Sequence, residues 1–427
     1  MKNKTIGLFE GIALYIAAIL GSGVLFLSGV TASIAGPASI ISWVIVIGIS
    51  FPLAYSFACL ARKYPDSGGA ATFVRKSFGN HLGNIVGWFY FVTAAVGQTI
   101  VSLTGAYYLC GSINILQGQT VPVAIFILII AGFSNYFGVQ MSGKLALLLS
   151  SCLLLLLLLT VTFTFSSIQW ENFTPFFSHG WSSIGTASTM IFWSFFGWEA
   201  ICSLANNFKR PERDIVKSTL ISAIIIGVLF LALSFVTIGT ATFGSEESNL
   251  SPIGVMMNDT IGLGAKVLTG ILAFIICTGT ANAFVASLTQ LGYSLSRDGA
   301  FPKYFSVLHH STEMPRRMVV FVILFAVMGV LITSVLSLTF NDILFIPTSL
   351  GILVYILSMA AGVKLFNRYV LSWWCSLISL VLCILMLPFF KLYITVPLIV
   401  TILYIIYMSI GKKINKYERS LSHEVKN

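Results

Sequence analysis

Residues 10–36 read EGIALYIAAILGSGVLFLSGVTASIAG. The run is long enough to cross a bilayer, which takes roughly 20 mostly apolar residues, and it carries Gly21-Ser22-Gly23 at its middle. Each Gly lowers helix stability by about 1 kcal/mol relative to Ala. Two within three residues therefore predict a helix that unwinds at mid-depth. A second run of the same kind occupies 182–207, SSIGTASTMIFWSFFGWEAICSLANN, with Phe196-Gly197-Trp198-Glu199 near its centre.

The chain around these runs has the same character. Of 427 residues, 57% are apolar and 9% charged, against about 25% charged in soluble domains, so a water-facing surface could not be covered. A bilayer accepts helices or closed barrels. Barrel strands alternate apolar and polar residues, whereas this chain has unbroken runs such as Leu153–Leu159. The fold class is an all-α polytopic membrane protein. Twelve spans are expected, at about 10–35, 38–61, 82–110, 120–138, 145–167, 182–207, 215–243, 265–296, 317–338, 342–362, 370–388 and 392–410. The first continues into a full span, unlike a cleaved leader. Seven scattered Cys form no CxxC, which gives neither a disulfide framework nor a zinc site.

Positive charge marks the cytoplasmic side of membrane proteins. With both termini there, 22 of the 24 Lys and Arg fall inside, and only Lys266 and Lys391 outside. The outer loops instead carry Glu171, Glu246, Glu247, Asp259 and Asp342. The net charge of +10 is then explained by an anionic leaflet rather than by nucleic acid.

The two interrupted runs lie five spans apart and enter the membrane from opposite sides. Corresponding broken helices in inverted halves point to a transporter site at the midplane. The break exposes N–H groups at a half-helix start, which suit a carboxylate. It also exposes carbonyls at the other half-helix end, which suit an ammonium. Together they fit a zwitterionic amino acid. Glycines can equally serve close helix packing, and that is the reading for Gly29 and Gly227. Glu199 is the one acidic residue inside a span, and two roles stand open for it: proton carrier, or hydrogen-bonded tether between helices. No span holds Lys, Arg or His at mid-depth. With Trp193, Phe195 and Phe196 at the second break, an apolar side-chain pocket is expected.

Five stretches resemble the amino acid–polyamine–organocation (APC) transporter superfamily: ILGSGVLF at 19–26, KYPDSGGAATFVRKSFG at 63–79, FWSFFGWEA at 192–200, NNFKRPERDI at 206–215 and YSLSRDGAFPKYF at 293–305. They occur in the superfamily's order. Within it, length and motif style are most similar to the bacterial branch that exports L-methionine and branched-chain amino acids. The resemblance implies a LeuT-like five-plus-five inverted repeat over 1–362, with two additional C-terminal helices and a short cytoplasmic tail over 363–427, in the bacterial inner membrane. It further implies that the N–H groups of Ser22, Gly23 and Val24, beside Gly21, hold the substrate carboxylate. The carbonyls of Ile19, Trp193, Ser194 and Phe196 would hold the ammonium, Trp193 would act as gate with Glu199 in coupling, and Gln98 and Phe284 would line the pocket. Where many relatives carry a Lys in the fifth span, this chain has Ser150 and Ser151, and Gln290 replaces a frequent Arg. Coupling to a proton, or to another cation held near Ser150 or Thr278–Thr280, is left open. For Arg210, Arg213 and Arg297, pairing with Asp214 or Asp298 stands beside a purely topological role.

The leading expectation is secondary transport of neutral, mainly apolar amino acids as an exporter. Uptake or exchange of amino acids or polyamines is the alternative. An enzyme would need a nucleophile, metal or phosphate motif, and no H-E-x-x-H, G-x-S-x-G or P-loop occurs. No motif calls for a cofactor or metal. A sensor would add a soluble domain, whereas only about 17 residues follow the last span. The sequence carries no signal for oligomeric state.

Overall fold

Long apolar runs leave the backbone no partner but itself, so in lipid they must close their own hydrogen bonds as helices. A computed structural model of the chain describes residues 6–64, 69–138, 143–198, 205, 207–310 and 314–424, with side chains as far as 410. Pro65–Gly68 of the motif after the second span, Asn206, and Glu199 with its expected role lie outside the described residues. The helices are α1 (Leu8–Ile19), α2 (Gly23–Ala35), α3 (Ser39–Lys63), α4 (Gly69–Phe78), α5 (Asn80–Ser112), α6 (Thr120–Tyr136), α7 (Gly143–Thr164) and α8 (Trp181–Ile191). There follow α9 (Pro211–Gly239), α10 (Glu246–Leu250), α11 (Pro252–Thr260), α12 (Leu263–Arg297), α13 (Arg316–Val335), α14 (Phe340–Leu365), α15 (Leu371–Met386) and α16 (Thr395–Glu424).

Among the described residues, eight continuous runs are long and apolar enough to cross a membrane, against twelve expected spans. The difference has identifiable causes. Gly23–Lys63 and Leu371–Ile410 are runs of 41 and 40 residues, about twice what a bilayer needs. Each is broken once, by a 3₁₀ turn at Gly36–Ala38 with Gly36 at φ +57° and by Lys391 at φ 51°. The helices α1 and α6 are apolar but short, at 12 and 17 residues. The α-helical part of the 182–207 run ends at Ile191.

The runs divide into buried and outward-lying sets. Most of α2–α3, α5, α9 and α14 is buried, whereas less than a third of α7, α13 and the α15–α16 run is. On α7 the exposed side chains include Leu148, Leu155 and Leu158, which fit hydrocarbon and not water. Between the two sets, α12 lies antiparallel along α5. Gly105 faces Cys277 and Ile127, and Gly87 faces Leu295.

Loop segments sort onto two ends. Arg62 lies 3.9 Å from Glu212, Lys63 Nζ donates to Leu365 O at 2.7 Å, and Lys364 Nζ donates to Ser77 O at 2.8 Å. These segments form a basic face. Lys266 and Glu247 pair at 2.6 Å, and the Tyr393 hydroxyl donates to Asp342 Oδ1, on the acidic face. Arg297 pairs with the adjacent Asp298 at 3.6 Å, an exposed contact worth about 0–1 kcal/mol. Arg210 and Asp214 share only a backbone bond, Asp214 N–H to Arg210 O at 2.8 Å.

On the basic face the start of α1 is clasped. Ile6 and Phe208 form a parallel β-bridge: Ile6 N–H donates to Asn207 O at 3.0 Å, and Lys209 N–H to Ile6 O at 2.8 Å. The buried Phe208 ring presses on Gly11, where a Cβ would sit 2.9 Å from Phe208 Cε1.

Candidate functional site

The first run breaks at its glycines, whereas in the second the α-helix already ends at Ile191, six residues before Gly197, and the two irregular stretches touch. After Ile19 the chain leaves the helix: Leu20 takes φ −72°, ψ 64°, and α2 restarts at Gly23. The first N–H groups of a helix have no partner within it. Those of Ser22, Gly23 and Val24 make no backbone hydrogen bond among the described residues. In the second run α8 gives way to a 3₁₀ turn over Phe192–Phe195, where bulky aromatic side chains disfavour the helix. Phe196 is extended (φ −72°, ψ 121°), and Gly197, at φ 148°, takes a conformation that side-chain-bearing residues avoid.

A Cβ at Gly23 would stand 2.9 Å from both Ser194 Oγ and Trp193 Cδ1. A Cβ at Gly197 would stand 3.1 Å from Ala18 O and 3.2 Å from Ile19 Cγ1. The half-helices are thus apposed through glycines at two points. Gly21 differs, since a Cβ there meets nothing within 4 Å. Gly29 and Gly227 are packing glycines: the first abuts the carbonyls of Ser248 and Asn249, the second Ile47.

Trp193 is buried between the two broken runs and α5; a Cβ at Gly97 would lie 2.9 Å from its Cη2. Phe196 meets Trp193 edge on at 6.1 Å and reaches α14, where Gly351 leaves room for its ring. Phe195 differs from expectation. It packs on Phe230 of α9 at 5.6 Å, so of the three aromatics it faces away from the first break. Gln98 follows Gly97 on α5. The register that opposes Gly105 to Cys277 and Gly87 to Leu295 sets Gln98 level with Phe284 on α12. Ser194 Oγ and both amide atoms of Gln98 are buried without a hydrogen-bond partner among the described residues. Such groups cost about 1–3 kcal/mol each when unsatisfied, and functional sites are where that cost is tolerated.

Of the expected carbonyls, Ile19 O accepts from Gly21 N–H at 2.7 Å and Trp193 O from Phe196 N–H at 3.3 Å. Each carbonyl oxygen retains a second lone pair. Two tyrosines missed in the sequence brace the breaks. Tyr108 donates to Leu25 O, and Tyr355 of α14 donates to Phe195 O at 3.0 Å. No local pattern marks them, because their partners lie 83 and 160 residues away. The Thr278 and Thr280 hydroxyls donate to carbonyls of their own helix at 2.7 and 2.9 Å, and Ser151 does the same to Leu147 O at 2.8 Å.

An all-α, multi-pass membrane protein defines the class, and among the described residues two irregular stretches of its apolar runs meet beside unsatisfied polar groups. The family profile described as amino acid permease matches residues 6–416. The chain belongs to this family, within the APC superfamily, and has a small-molecule amino acid substrate. It is similar to the uncharacterized amino acid permease YecA of Bacillus subtilis (strain 168), with 32% identity over 383 residues, 89% of this chain and 90% of the relative. The L-methionine/branched-chain amino acid exporter YjeH of Escherichia coli (strain K12) is 25% identical over 389 residues, 90% and 91% of the two chains. The putrescine transporter PotE of the same strain is 24% identical over 374 residues, 84% and 83% of the two chains.

Proposed function

We propose that the chain is a secondary active transporter that exports neutral, mainly apolar L-amino acids of the methionine, leucine, isoleucine and valine class by alternating access. The observation that carries this reading is the close approach of the start of α2 to the Trp193–Ser194 turn at Gly23, beside Ser22–Val24 N–H groups that make no backbone hydrogen bond among the described residues. In it, those N–H groups take the carboxylate. The carbonyls of Ile19, Trp193, Ser194 and Phe196 take the ammonium, and Trp193 covers the substrate. Gln98 and Phe284 line the side-chain pocket. The lack of Lys, Arg or His at mid-depth supports the apolar preference. The similarity to the methionine and branched-chain exporter supports the substrate class and the direction.

The proposal includes twelve crossings, a five-plus-five inverted repeat over 1–362, accessory helices over 363–427, and both termini in the cytoplasm. Two broken runs five spans apart support the repeat, and 22 of 24 basic residues on one side support the orientation. Proton coupling is assigned to Glu199. Flux of radiolabelled leucine in proteoliposomes tests transport. Leucine flux driven by an imposed pH gradient and lost in Glu199→Gln supports the proton route; flux that follows sodium, with the variant unaffected, reduces Glu199 to a tether. A second reading, uptake or exchange of amines, is favoured by the similarity to a putrescine transporter, and putrescine flux exceeding leucine flux would establish it.

A further inference from the structure

A chamber of about 540 Å³ lies on the acidic face between α2, α5, the start of α6, α10, α13 and α14. Its size falls within the roughly 300–1,000 Å³ of small-molecule pockets. The walls mix apolar side chains such as Val30 and Leu103 with polar ones such as Ser33, Thr333 and Asn341. One lining side chain carries a formal charge, Glu246.

That carboxylate is both oriented and unneutralised. The Tyr107 hydroxyl donates to Glu246 Oε1 at 3.2 Å, and Oε2 makes no hydrogen bond among the described residues. The adjacent Glu247 is neutralised by Lys266 at 2.6 Å, whereas Glu246 has no ion pair among the described residues. The chamber is also one layer from the broken helices. Phe340 lines it and meets the fully buried Phe26 edge on at 4.7 Å. Phe26 is two residues beyond Val24, and the chamber's α2 wall at Val30 stands about 9 Å from Val24 along the helix axis. The Phe26–Phe340 contact thus stands between the chamber and the start of α2.

We propose that this chamber is a second binding place for an organic ammonium group, with Glu246 as its counter-charge and as a filter against anionic solutes; the inference rests on the transport reading above. One unpaired carboxylate at the rim of a cleft raises the local concentration of cations and lowers that of anions, and at this exposed side chain the effect weakens with salt. The side chain also lies in the first turn of α10, where a carboxylate favours the helix dipole. That role acts on stability and not on substrate affinity.

The test uses the full chain in proteoliposomes, with n-butylammonium as a probe that lacks the carboxylate needed at the breaks. In the wild type, butylammonium inhibits leucine flux when added on the acidic face. In Glu246→Gln the KM for leucine on that face rises about three- to tenfold, turnover stays within about twofold, and the inhibition is lost. Glu246→Lys makes glutamate an inhibitor in place of the amine. Unchanged KM and unchanged amine inhibition in Glu246→Gln overturn the chamber and leave the transport reading standing. If the wild type moves no amino acid, the transport reading falls. Calorimetric binding of butylammonium then decides the chamber by itself: its loss in Glu246→Gln supports the site, and its persistence rejects it.

Discussion

Gly21 and Gly23 are two residues apart and behave oppositely. A side chain at Gly23 collides with Trp193 and Ser194, whereas at Gly21 it meets no atom within 4 Å. Gly23→Leu is therefore expected to lower transport more than tenfold with membrane insertion unchanged, since misplacement of about 1 Å at a reacting or binding centre can cost about 10²-fold. Gly21→Ala should keep more than half of wild-type flux. Equal flux in the two variants would remove Gly23 from the site. The sequence made the glycine pair visible, because Gly within an apolar run has a local meaning. It did not reveal which glycine is in contact, nor Gly97, Gly351 and Tyr355 around Trp193 and Phe196. Their partners are distant in the chain, and contact across helices leaves no periodic trace.

Among the elements, α1 is held at both ends by the second broken run and its continuation. Ala18 and Ile19 abut Gly197, and Ile6 bridges to Phe208. A helix of 12 residues is about 18 Å long, too short to cross a hydrocarbon core of about 30 Å by itself, and these two contacts fix where α1 lies. Phe208→Ala removes the ring against Gly11 and is expected to loosen α1. A cysteine introduced at Gly21, in a background lacking the seven natural ones, should react about three- to tenfold faster with an impermeant maleimide added on the basic face when Phe208→Ala is present. An unchanged rate would mean that the clasp does not control access. The long runs are legible as helices, whereas α4 lies inside the 63–79 motif, which is not expected to be a span. Its buried Ala70, Phe73, Val74 and Ser77 follow the i, i+3, i+4, i+7 pattern of an amphipathic helix. That signal is present in the residues but weak, because the stretch is short and flanked by Gly.

For the molecule as a whole, charge distribution and substrate choice belong together. Burying a charged side chain without a partner costs several kcal/mol, and the spans offer no cationic residue at mid-depth. Methionine, leucine, isoleucine and valine are therefore expected to compete with labelled leucine at least tenfold better than lysine, arginine, aspartate or glutamate. Competition by arginine as strong as by methionine would contradict an apolar pocket. Span positions were readable because lipid demands about 20 apolar residues. Their number was harder to read from hydropathy alone, because Gly36 and Lys391 divide runs that composition leaves continuous.

The clasp at Ile6 also has a consequence for synthesis. Its partner Phe208 leaves the ribosome some 200 residues later, roughly 10–40 s at 5–20 residues per second. During that interval the first half-helix has neither its β-bridge nor the glycine contact at Gly197. An apolar segment of 12 residues must wait, partly held by its neighbours, for the second broken helix to be inserted. The order of assembly in the membrane is thereby set: the site closes only when its later half arrives, and a ribosome stalled before Phe208 leaves the first half-helix unclasped.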